Sequence, residues 1–309
     1  MKKLFSVLLV GILALSLFGC TAQSQHTFFA MNTFMDLQTW GADAEDALVQ
    51  IRQELTRLEK RWSVTGDNSA LALLNQGLNA QLSAEEEAFL QRVEALSLRT
   101  NGAFDPKLHS VSLAWGFYNE GYRVPSDTEI QAALADPKWD LGAALKGYAG
   151  DRAVEILKQH KVERAILNLG GNIQTYGQKP DGSPWQIGIQ NPNGGNYLGV
   201  VSVSGTASIV TSGDYQRYFE KDGVRYHHII DPKTGCPADS GLRAVTVICR
   251  DGLTADALST ALYVMGLENA TEFWRQSEDF EAVFITNEGK VYATQGAGLS
   301  GCEFEVIKR

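Results

Sequence analysis

Apolar residues recur at helical spacing in the N-terminal half of the chain. Over residues 43–60 they place Leu48, Ile51, Leu55 and Leu58 on one face, which is the three-four repeat of an amphipathic helix. A second helix is predicted at 84–100, where Ser83 and Glu86 form the sequence signature of a capping box and Asn-Gly at 101–102 ends it. Ser126 and Glu129 mark a third start, before a helix at 129–134.

The middle of the chain instead shows apolar and β-branched runs separated by Gly, Pro and Asn. These runs predict strands at 165–175, 185–190, 198–203, 226–231 and 243–250. Helices are predicted next at 254–265 and 270–276, followed by a hairpin over 281–294 that turns at 287–289. Helices in clusters and strands in runs indicate an α+β fold with a helical lobe at 43–135.

The N-terminus carries an export signal. Lys2 and Lys3 precede an apolar run over residues 4–18, too short to be a confident transmembrane helix. LFGC at 17–20 resembles a bacterial lipoprotein cleavage site. We therefore expect a signal peptide at 1–19, a lipidated Cys20 that opens a tether at 20–25, and one catalytic domain at 26–309, which has no repeat or linker. The protein is expected to be exported and membrane-anchored on the extracytoplasmic face.

Charge and cysteine content narrow the function classes. The whole chain has a formal charge of −9, which becomes −11 after loss of residues 1–19 with their two lysines. A chain this acidic repels nucleic acid. With Cys20 lipidated, Cys236, Cys249 and Cys302 remain, enough for one disulfide at most. Their spacing matches no zinc or redox motif, so we interpret all three as buried or incidental.

Candidate chemistry lies in the predicted helix at 254–265. Asp256 and Thr260 are four residues apart and so share a face near the start of the helix. Two hard oxygen ligands suit Mg²⁺, and a helix N-terminus favours a phosphate. An Asp near a helix start is also a common cap or dipole partner, and the spacing alone does not separate these interpretations.

Two other segments carry polar residues in suggestive places. His228 lies in a predicted strand just before a Pro-x-x-Gly turn, and Lys146 precedes a glycine at the start of an amphipathic helix. The lysine would supply charge where backbone can approach a ligand closely. A buried structural histidine and an ordinary loop-to-helix junction are the alternatives.

Eight motifs spread from residue 29 to residue 260 together resemble one family, the FAD:protein FMN transferases (ApbE-like flavin transferases). In chain order they are FAMNT (29–33), SVTGDNS (63–69), GAFD (102–105), DLGAALKGYAGD (140–151), NLGGN (168–172), TSGDYQRY (211–218), HIIDPKTG (228–235) and ADALST (255–260). The resemblance implies an ApbE-like α+β fold with mixed, mainly antiparallel sheets.

The resemblance also implies roles for individual residues. Mg²⁺ would be held by the side chains of Asp256 and Thr260 and by the backbone carbonyl of Ala143. FAD would contact Met31, Thr65, Ala103, Phe104, Asp105, Asp140, Lys146, His228 and the backbone near Leu253. The chain departs from the family at two positions: Asn32 stands where the family usually has Gly, and Thr65 where an aromatic residue is frequent. The second departure removes a possible stacking surface for FAD.

The implied reaction is Mg²⁺-dependent transfer of the FMN part of FAD to a threonine hydroxyl of an acceptor flavoprotein, a membrane or extracytoplasmic redox subunit, with release of AMP. His228 is the candidate base, since imidazole titrates near pH 6.5, but it serves equally well as a phosphate contact. Two alternatives stay open: an Mg²⁺-dependent pyrophosphatase that gives FMN and AMP, and a non-catalytic flavin-binding lipoprotein. The acceptor and the oligomeric state are not encoded in any recognisable pattern.

Overall fold

The computed structural model describes residues 23–118 and 121–309. The signal peptide and Cys20 lie outside these residues. The helices in the described part are α1 (Ala44–Arg61), α2 (Ala70–Asn75), α3 (Ala84–Arg99), α4 (His109–Ala114), α5 (Asp127–Leu134), α6 (Leu145–Gln159) and α7 (Gly252–Arg275). None of them is long and apolar enough to cross a membrane.

Strands occupy the two ends and the middle of the described chain. They are β1 (Gln23–Ala30), β2 (Thr33–Gly41), β3 (Val162–Leu169), β4 (Asn172–Tyr176), β5 (Trp185–Gln190), β6 (Tyr197–Val203), β7 (Ala207–Gly213), β8 (Tyr218–Lys221), β9 (Val224–His227), β10 (Ile230–Asp231), β11 (Cys236–Pro237), β12 (Leu242–Cys249), β13 (Phe280–Thr286), β14 (Val291–Thr294), β15 (Leu299–Ser300) and β16 (Glu305–Ile307).

Nine of these strands form one large sheet in the order β1-β2-β3-β4-β7-β12-β13-β14-β16. Every pairing in it is antiparallel except that of β14 with β16. A three-stranded sheet (β15-β6-β5) and two short ribbons, β8-β9 and β10-β11, complete the strands of the described part. The predicted α+β class with mainly antiparallel sheets is confirmed.

The helices bury their apolar faces against the large sheet and against one another. In α1, the four residues of the predicted stripe, Leu48, Ile51, Leu55 and Leu58, are all buried. They share one core cluster with residues of α3, α6 and α7. Helix α7 packs on both β7 and β12 on one side and on α6 on the other. The crossing of α6 and α7 therefore lies deep in the protein, directly over the sheet.

Helix boundaries agree well with the sequence signals. The capping boxes at Ser83 and Ser126 are both formed, with the serine hydroxyl and the glutamate each accepting a backbone N–H. The break expected between helices at 254–265 and 270–276 is also present, as a single interruption of α7 at Gly266. Glycine is required there because φ is +74°.

Two predicted strands are wrong in the same way: each is interrupted by a bend. Residues 165–175 form the separate strands β3 and β4, joined by the turn at Gly170 and Gly171, where φ is +68° and +92°. Positive φ at both central residues is the geometry of a tight hairpin. Residues 226–231 likewise divide into β9 and β10, with His228 between them.

The N-terminal hairpin of β1 and β2 was not predicted. Its first strand begins at Gln23, so residues 23–25 of the expected tether pair with residues 38–40 of β2. The alternation in β1 is concealed in the sequence, because four of its residues are glutamine, serine or histidine rather than apolar. Its backbone pairing to β2, which is in turn paired with β3, holds it in the sheet.

Candidate active site

One large cavity opens between the sheet, α6, α7 and the loops around α4. Its volume is about 1220 Å³. The following residues from the sequence prediction line it: Met31, Thr65, Ala103, Phe104, Asp105, Asp140, Ala143, Lys146, His228, Asp256 and Thr260. The fold thus brings together positions that are spread over more than two hundred residues of sequence.

The Asp256 side chain is the most deeply buried acid of the cavity, only 4% exposed. Its Oδ2 accepts a hydrogen bond of 2.8 Å from the backbone N–H of Gly147 in α6. Burial raises the pKa of Asp256, while the positive charge of Lys146 and the Gly147 N–H act in the opposite direction. The carboxylate is thus held at a helix crossing, where a further positive charge would stabilise it.

Close approach of the two helices depends on glycine. A Cβ on Gly147 would lie 2.1 Å from the carbonyl oxygen of Gly252, and one on Gly252 would lie 2.3 Å from the carbonyl oxygen of Gly147. Both glycines therefore let α6 and α7 touch through their backbones. The sequence suggested that the glycine after Lys146 admits a ligand, but the structure fills that space with α7.

Two backbone groups at the start of α6 have no partner within the helix. Gly147 is the third residue of α6, and its N–H donates to Asp256. The carbonyl of Ala143, which lies just before the helix, accepts no hydrogen bond from the described residues. Thr260 lies one turn beyond Asp256, with its Oγ1 3.2 Å from Ser212 Oγ. The Asp256 carboxylate, the Thr260 hydroxyl and the Ala143 carbonyl are oxygen ligands of the kind that suits a hard divalent cation such as Mg²⁺. Among the described residues no cluster of three His, Cys, Asp or Glu side chains competes for a metal.

The N-terminus of α7 is not open to a phosphate, contrary to the sequence-based expectation. Asp151 of α6 accepts from the backbone N–H groups of Gly252 and Leu253 at 2.6 and 2.9 Å. Asp251, the N-cap residue of α7, accepts from Thr254 N in the same turn. Two carboxyl groups therefore occupy the positive end of the helix dipole. The backbone near Leu253 was predicted to contact FAD, but Leu253 is fully buried and does not line the cavity.

His228 has a defined tautomer. Its Nδ1 is 3.1 Å from the carbonyl oxygen of Arg217, and because a carbonyl only accepts, Nδ1 carries the proton and Nε2 is free to accept one. Removal from water lowers the pKa of His228 to about 3, and the charges of Arg217, His227 and Lys146 add to this effect. The half-buried imidazole at the cavity wall is therefore neutral at physiological pH.

Asp140 is positioned by two donors on one of its oxygens. Tyr118 Oη and the backbone N–H of Gly142 both donate to Oδ1, at 2.6 and 2.9 Å. Oδ2 accepts no hydrogen bond from the described residues. Burial together with the charge of Asp140 raises the pKa of Tyr118, so the tyrosine stays a hydrogen-bond donor.

Two tight turns form one edge of the cavity. Met31 and Asn32 join β1 to β2 with φ of +49° and +58°, and the N–H of Met31 donates to Glu59 Oε1 at 2.7 Å. The second turn is Gly170-Gly171, where a Cβ on Gly170 would come within 2.2 Å of Thr33. Asn tolerates the left-handed backbone conformation better than most residues. This explains how Asn32 can stand where the family that the sequence resembles usually has glycine.

Several cavity residues were not predicted as site residues. Asn172 is 5% exposed, and its Nδ2 makes no hydrogen bond within the described structure, although it lies near enough to Asp256 to favour the charged carboxylate. Arg217 and Tyr118 also line the cavity. Asn172 and Arg217 belong to motifs noted in the sequence, NLGGN and TSGDYQRY. Nothing in the sequence signals Tyr118, whose role depends on its contact with Asp140.

The cysteines take no part in this site. Cys236, Cys249 and Cys302 are all free thiols; Cys249 is buried and the other two are half-buried. None lines the cavity. Burial raises the pKa of each thiol, which disfavours the reactive thiolate.

A family model and individual relatives all point to the same protein family. The model of the ApbE family matches residues 31–284. An FAD:protein FMN transferase of Klebsiella pneumoniae is 36% identical over 220 residues, covering 64% of this chain and 67% of the relative. One of Treponema pallidum is 33% identical over 293 residues and covers 82% of this chain and 81% of the relative.

Solved structures agree with the sequence relatives. The ApbE protein of Thermotoga maritima superposes with a TM-score of 0.81 at 31% identity, covering 89% of this chain and 97% of its own. The flavin transferase ApbE of Vibrio cholerae gives 0.79 at 27% identity, with 89% and 98% covered. The similarity therefore extends over nearly the whole of both solved chains.

We predict that Asp151 makes stability depend on pH. Burial, together with the charge of Asp251, raises its pKa to about 7, against about 3.9 in an unfolded chain. Between about pH 3.9 and about pH 7 the folded protein therefore binds more protons at Asp151 than the unfolded chain does. The stability that protonated Asp151 contributes is present at low pH and is lost as pH rises towards about 7. Relative to Asp151→Asn, the wild type should lose on the order of 2 kcal/mol in unfolding free energy between pH 5 and 8, measured by urea denaturation.

Asp251→Asn is the matched control for that measurement. Asn keeps the helix cap but removes the neighbouring charge, so the pH dependence should shrink without disappearing. If the unfolding free energy changes equally with pH in the wild type and in Asp151→Asn, Asp151 has an ordinary pKa and the prediction is wrong.

Proposed function

Because the chain belongs to the ApbE family, we propose that it transfers the FMN part of FAD to a threonine hydroxyl of an acceptor protein and releases AMP. One observation carries the proposal. The buried Asp256 carboxylate, the Thr260 hydroxyl and the free Ala143 carbonyl line the same cavity as Lys146 and a neutral His228. An oxygen site for a cation thus adjoins a cationic side chain and a base, the set that phosphoryl transfer needs.

The size of the cavity supports a reaction with two substrates. Small-molecule sites usually enclose about 300–1,000 Å³, and this cavity has about 1220 Å³. The volume exceeds that range, which supports a cavity that admits a segment of an acceptor protein as well as FAD. The Met31-Asn32 and Gly170-Gly171 turns also line this cavity.

Mg²⁺ would be held by Asp256, Thr260 and the Ala143 carbonyl, and when bound it would neutralise charge on the FAD pyrophosphate. Lys146 supplies a second positive charge on the same cavity wall, and this charge lowers the pKa of both Asp256 and His228. Asp140, fixed by Tyr118 and Gly142, presents one free carboxylate oxygen to a hydroxyl or amino group of the dinucleotide.

In the proposed reaction the threonine oxygen attacks the phosphorus of the FMN half. A new oxygen–phosphorus bond forms, the pyrophosphate bond breaks, and AMP leaves with the bridging oxygen. The threonine proton passes to Nε2 of His228, the unprotonated nitrogen left by the Nδ1–H bond to Arg217. The low pKa of His228 keeps this nitrogen unprotonated before FAD binds, and the phosphates of bound FAD raise the pKa towards a useful value.

Two other activities compete with transfer. Water in place of threonine would make the protein a pyrophosphatase that gives FMN and AMP, and the same groups would serve. A flavin carrier without catalysis needs neither a buried carboxylate nor a free carbonyl beside it, so the oxygen site favours a catalyst. Only the fate of the FMN half separates transfer from hydrolysis.

The deciding experiment incubates the protein with FAD, Mg²⁺ and a membrane-protein fraction, and follows AMP by chromatography and flavin-bearing peptides by mass spectrometry. We expect AMP and threonine-linked FMN in equal amounts. Asp256→Asn should abolish both, since the cation would lose its only charged ligand, and Thr260→Ala should raise the Mg²⁺ concentration needed for half-maximal rate. AMP with free FMN alone would indicate hydrolysis, and FAD left intact would indicate a carrier.

For His228 we predict a large kinetic effect with little change in FAD affinity. Replacing a general base costs about 10²–10⁴ in rate, so His228→Ala should slow single-turnover transfer by that factor at saturating FAD. For the wild type, kcat/KM should show no inflection near pH 6.5, because the pKa of His228 in the free protein is about 3. A variant that binds FAD weakly but transfers normally once saturated would make His228 a phosphate contact instead.

We also propose that the protein acts outside the cytoplasm from a lipid anchor on Cys20. The support is the sequence of residues 1–20, a basic start, an apolar run and LFGC. Wild-type protein should fractionate with membranes, and Cys20→Ser should remain as an unprocessed precursor or be released. Recovery of the wild type in the cytoplasm with residues 1–19 intact would contradict the anchor.

A further inference from the structure

The outer face of the β1–β2 hairpin changes character at its tip. Its exposed positions on β1 are Gln23, Gln25, Thr27 and Phe29. Asp36 on β2 accepts hydrogen bonds from the side chains of Gln25 and Thr27, at 2.7 and 3.3 Å. The face is thus polar over most of its length. The pair of this face that lies nearest the turn, Phe29 with Phe34, is apolar and exposed.

These two phenylalanines form a compact patch. Phe29 is 61% exposed and Phe34 is 73% exposed, and the rings meet edge to face with centroids 5.4 Å apart. Packing on each other defines their positions but leaves most of their surface in water. Exposed aromatic residues held in this way are typical of binding contacts.

The patch adjoins the cavity through the turn of the hairpin. The residues between the two phenylalanines include Met31, Asn32 and Thr33, all of which line the cavity. Phe34 directly follows Thr33 in the chain. β1 is also the terminal strand of the large sheet, so no further strand of the described sheet pairs with its outer edge.

We propose that the Phe29–Phe34 patch is the docking contact for the acceptor protein, and that it takes an apolar side chain flanking the modified threonine. This inference rests on the proposed function, which requires a protein segment to enter the cavity. A segment whose threonine reaches the FAD phosphates has to pass the cavity edge, and the patch offers apolar area at that edge. Burying the two rings there would stabilise the complex without any contact to FAD.

The test compares Phe29→Ser/Phe34→Ser with the full-length wild type, both in detergent micelles. The acceptor is the protein found to carry threonine-linked FMN in the experiment above, purified without bound flavin. We expect kcat/KM for the acceptor to fall at least tenfold and transfer to recover at saturating acceptor, while FAD affinity, from flavin fluorescence, changes less than twofold. The single variant Phe34→Leu should keep most of the wild-type kcat/KM for the acceptor, because leucine preserves an apolar contact.

Tyr197→Ser is the matched control. Tyr197 is aromatic and 73% exposed, like Phe34, but it lies on β6 in the three-stranded sheet, outside the β1–β2 hairpin, so its loss should leave acceptor kinetics unchanged. Unaltered acceptor kinetics in the double variant would overturn the proposal, as would an equal loss in Tyr197→Ser.

Two other occupants give different results in the same assay. If the phenylalanines contact lipid, the loss should appear only in phospholipid vesicles and vanish in micelles. If they contact a second copy of this chain, the variant should change the sedimentation of the protein without acceptor. Either result contradicts acceptor docking. Absence of transfer by the wild type contradicts the proposed function itself, whereas normal wild-type transfer with an unaffected variant contradicts only the docking surface.

Discussion

The hydrogen bond from the Gly147 amide to the Asp256 carboxylate organises the whole site. It forms only because Gly147 and Gly252 let α6 and α7 approach through their backbones. The carbonyl of Ala143, just before α6, accepts no hydrogen bond from the described residues and lines the same cavity as Asp256. One helix crossing therefore holds a buried carboxylate in the cavity wall that Ala143 and Lys146 also line.

Burial acts on the ionisable groups of the cavity in one direction, towards their neutral forms. It raises the pKa of Asp256 and lowers that of His228. For Asp256 this is a destabilisation that a bound cation would relieve. For His228 the effect favours the neutral imidazole, whose Nε2 can accept a proton. In the proposed reaction this one physical effect would prepare Asp256 to bind a cation and His228 to take up a proton.

Asp151 shows a different use of the same helix crossing. By accepting from Gly252 and Leu253 it satisfies the first amides of α7, a role that the phosphate of a ligand plays in many other proteins. The acceptor at this helix start is thus part of the protein, and a phosphate bound in the cavity would need positive charge from elsewhere. Lys146 and Arg217 are basic side chains on the cavity wall.

The resemblance to a family supplied the predicted site residues, all of which line the cavity except Leu253. The sequence alone was sufficient for the helices with capping boxes and for the α+β class, because these depend on local periodicity and residue type. It failed at the hairpin turn of Gly170 and Gly171, at the polar strand β1 and at the start of α7. Tertiary structure alone decided which partner each polar group meets. Gly147 and Asp256 are 109 positions apart in the chain, and Asp151 lies 101 positions from Gly252. Local pattern carries no record of such pairings, since the competing donor and acceptor become neighbours only when the helices pack on the sheet.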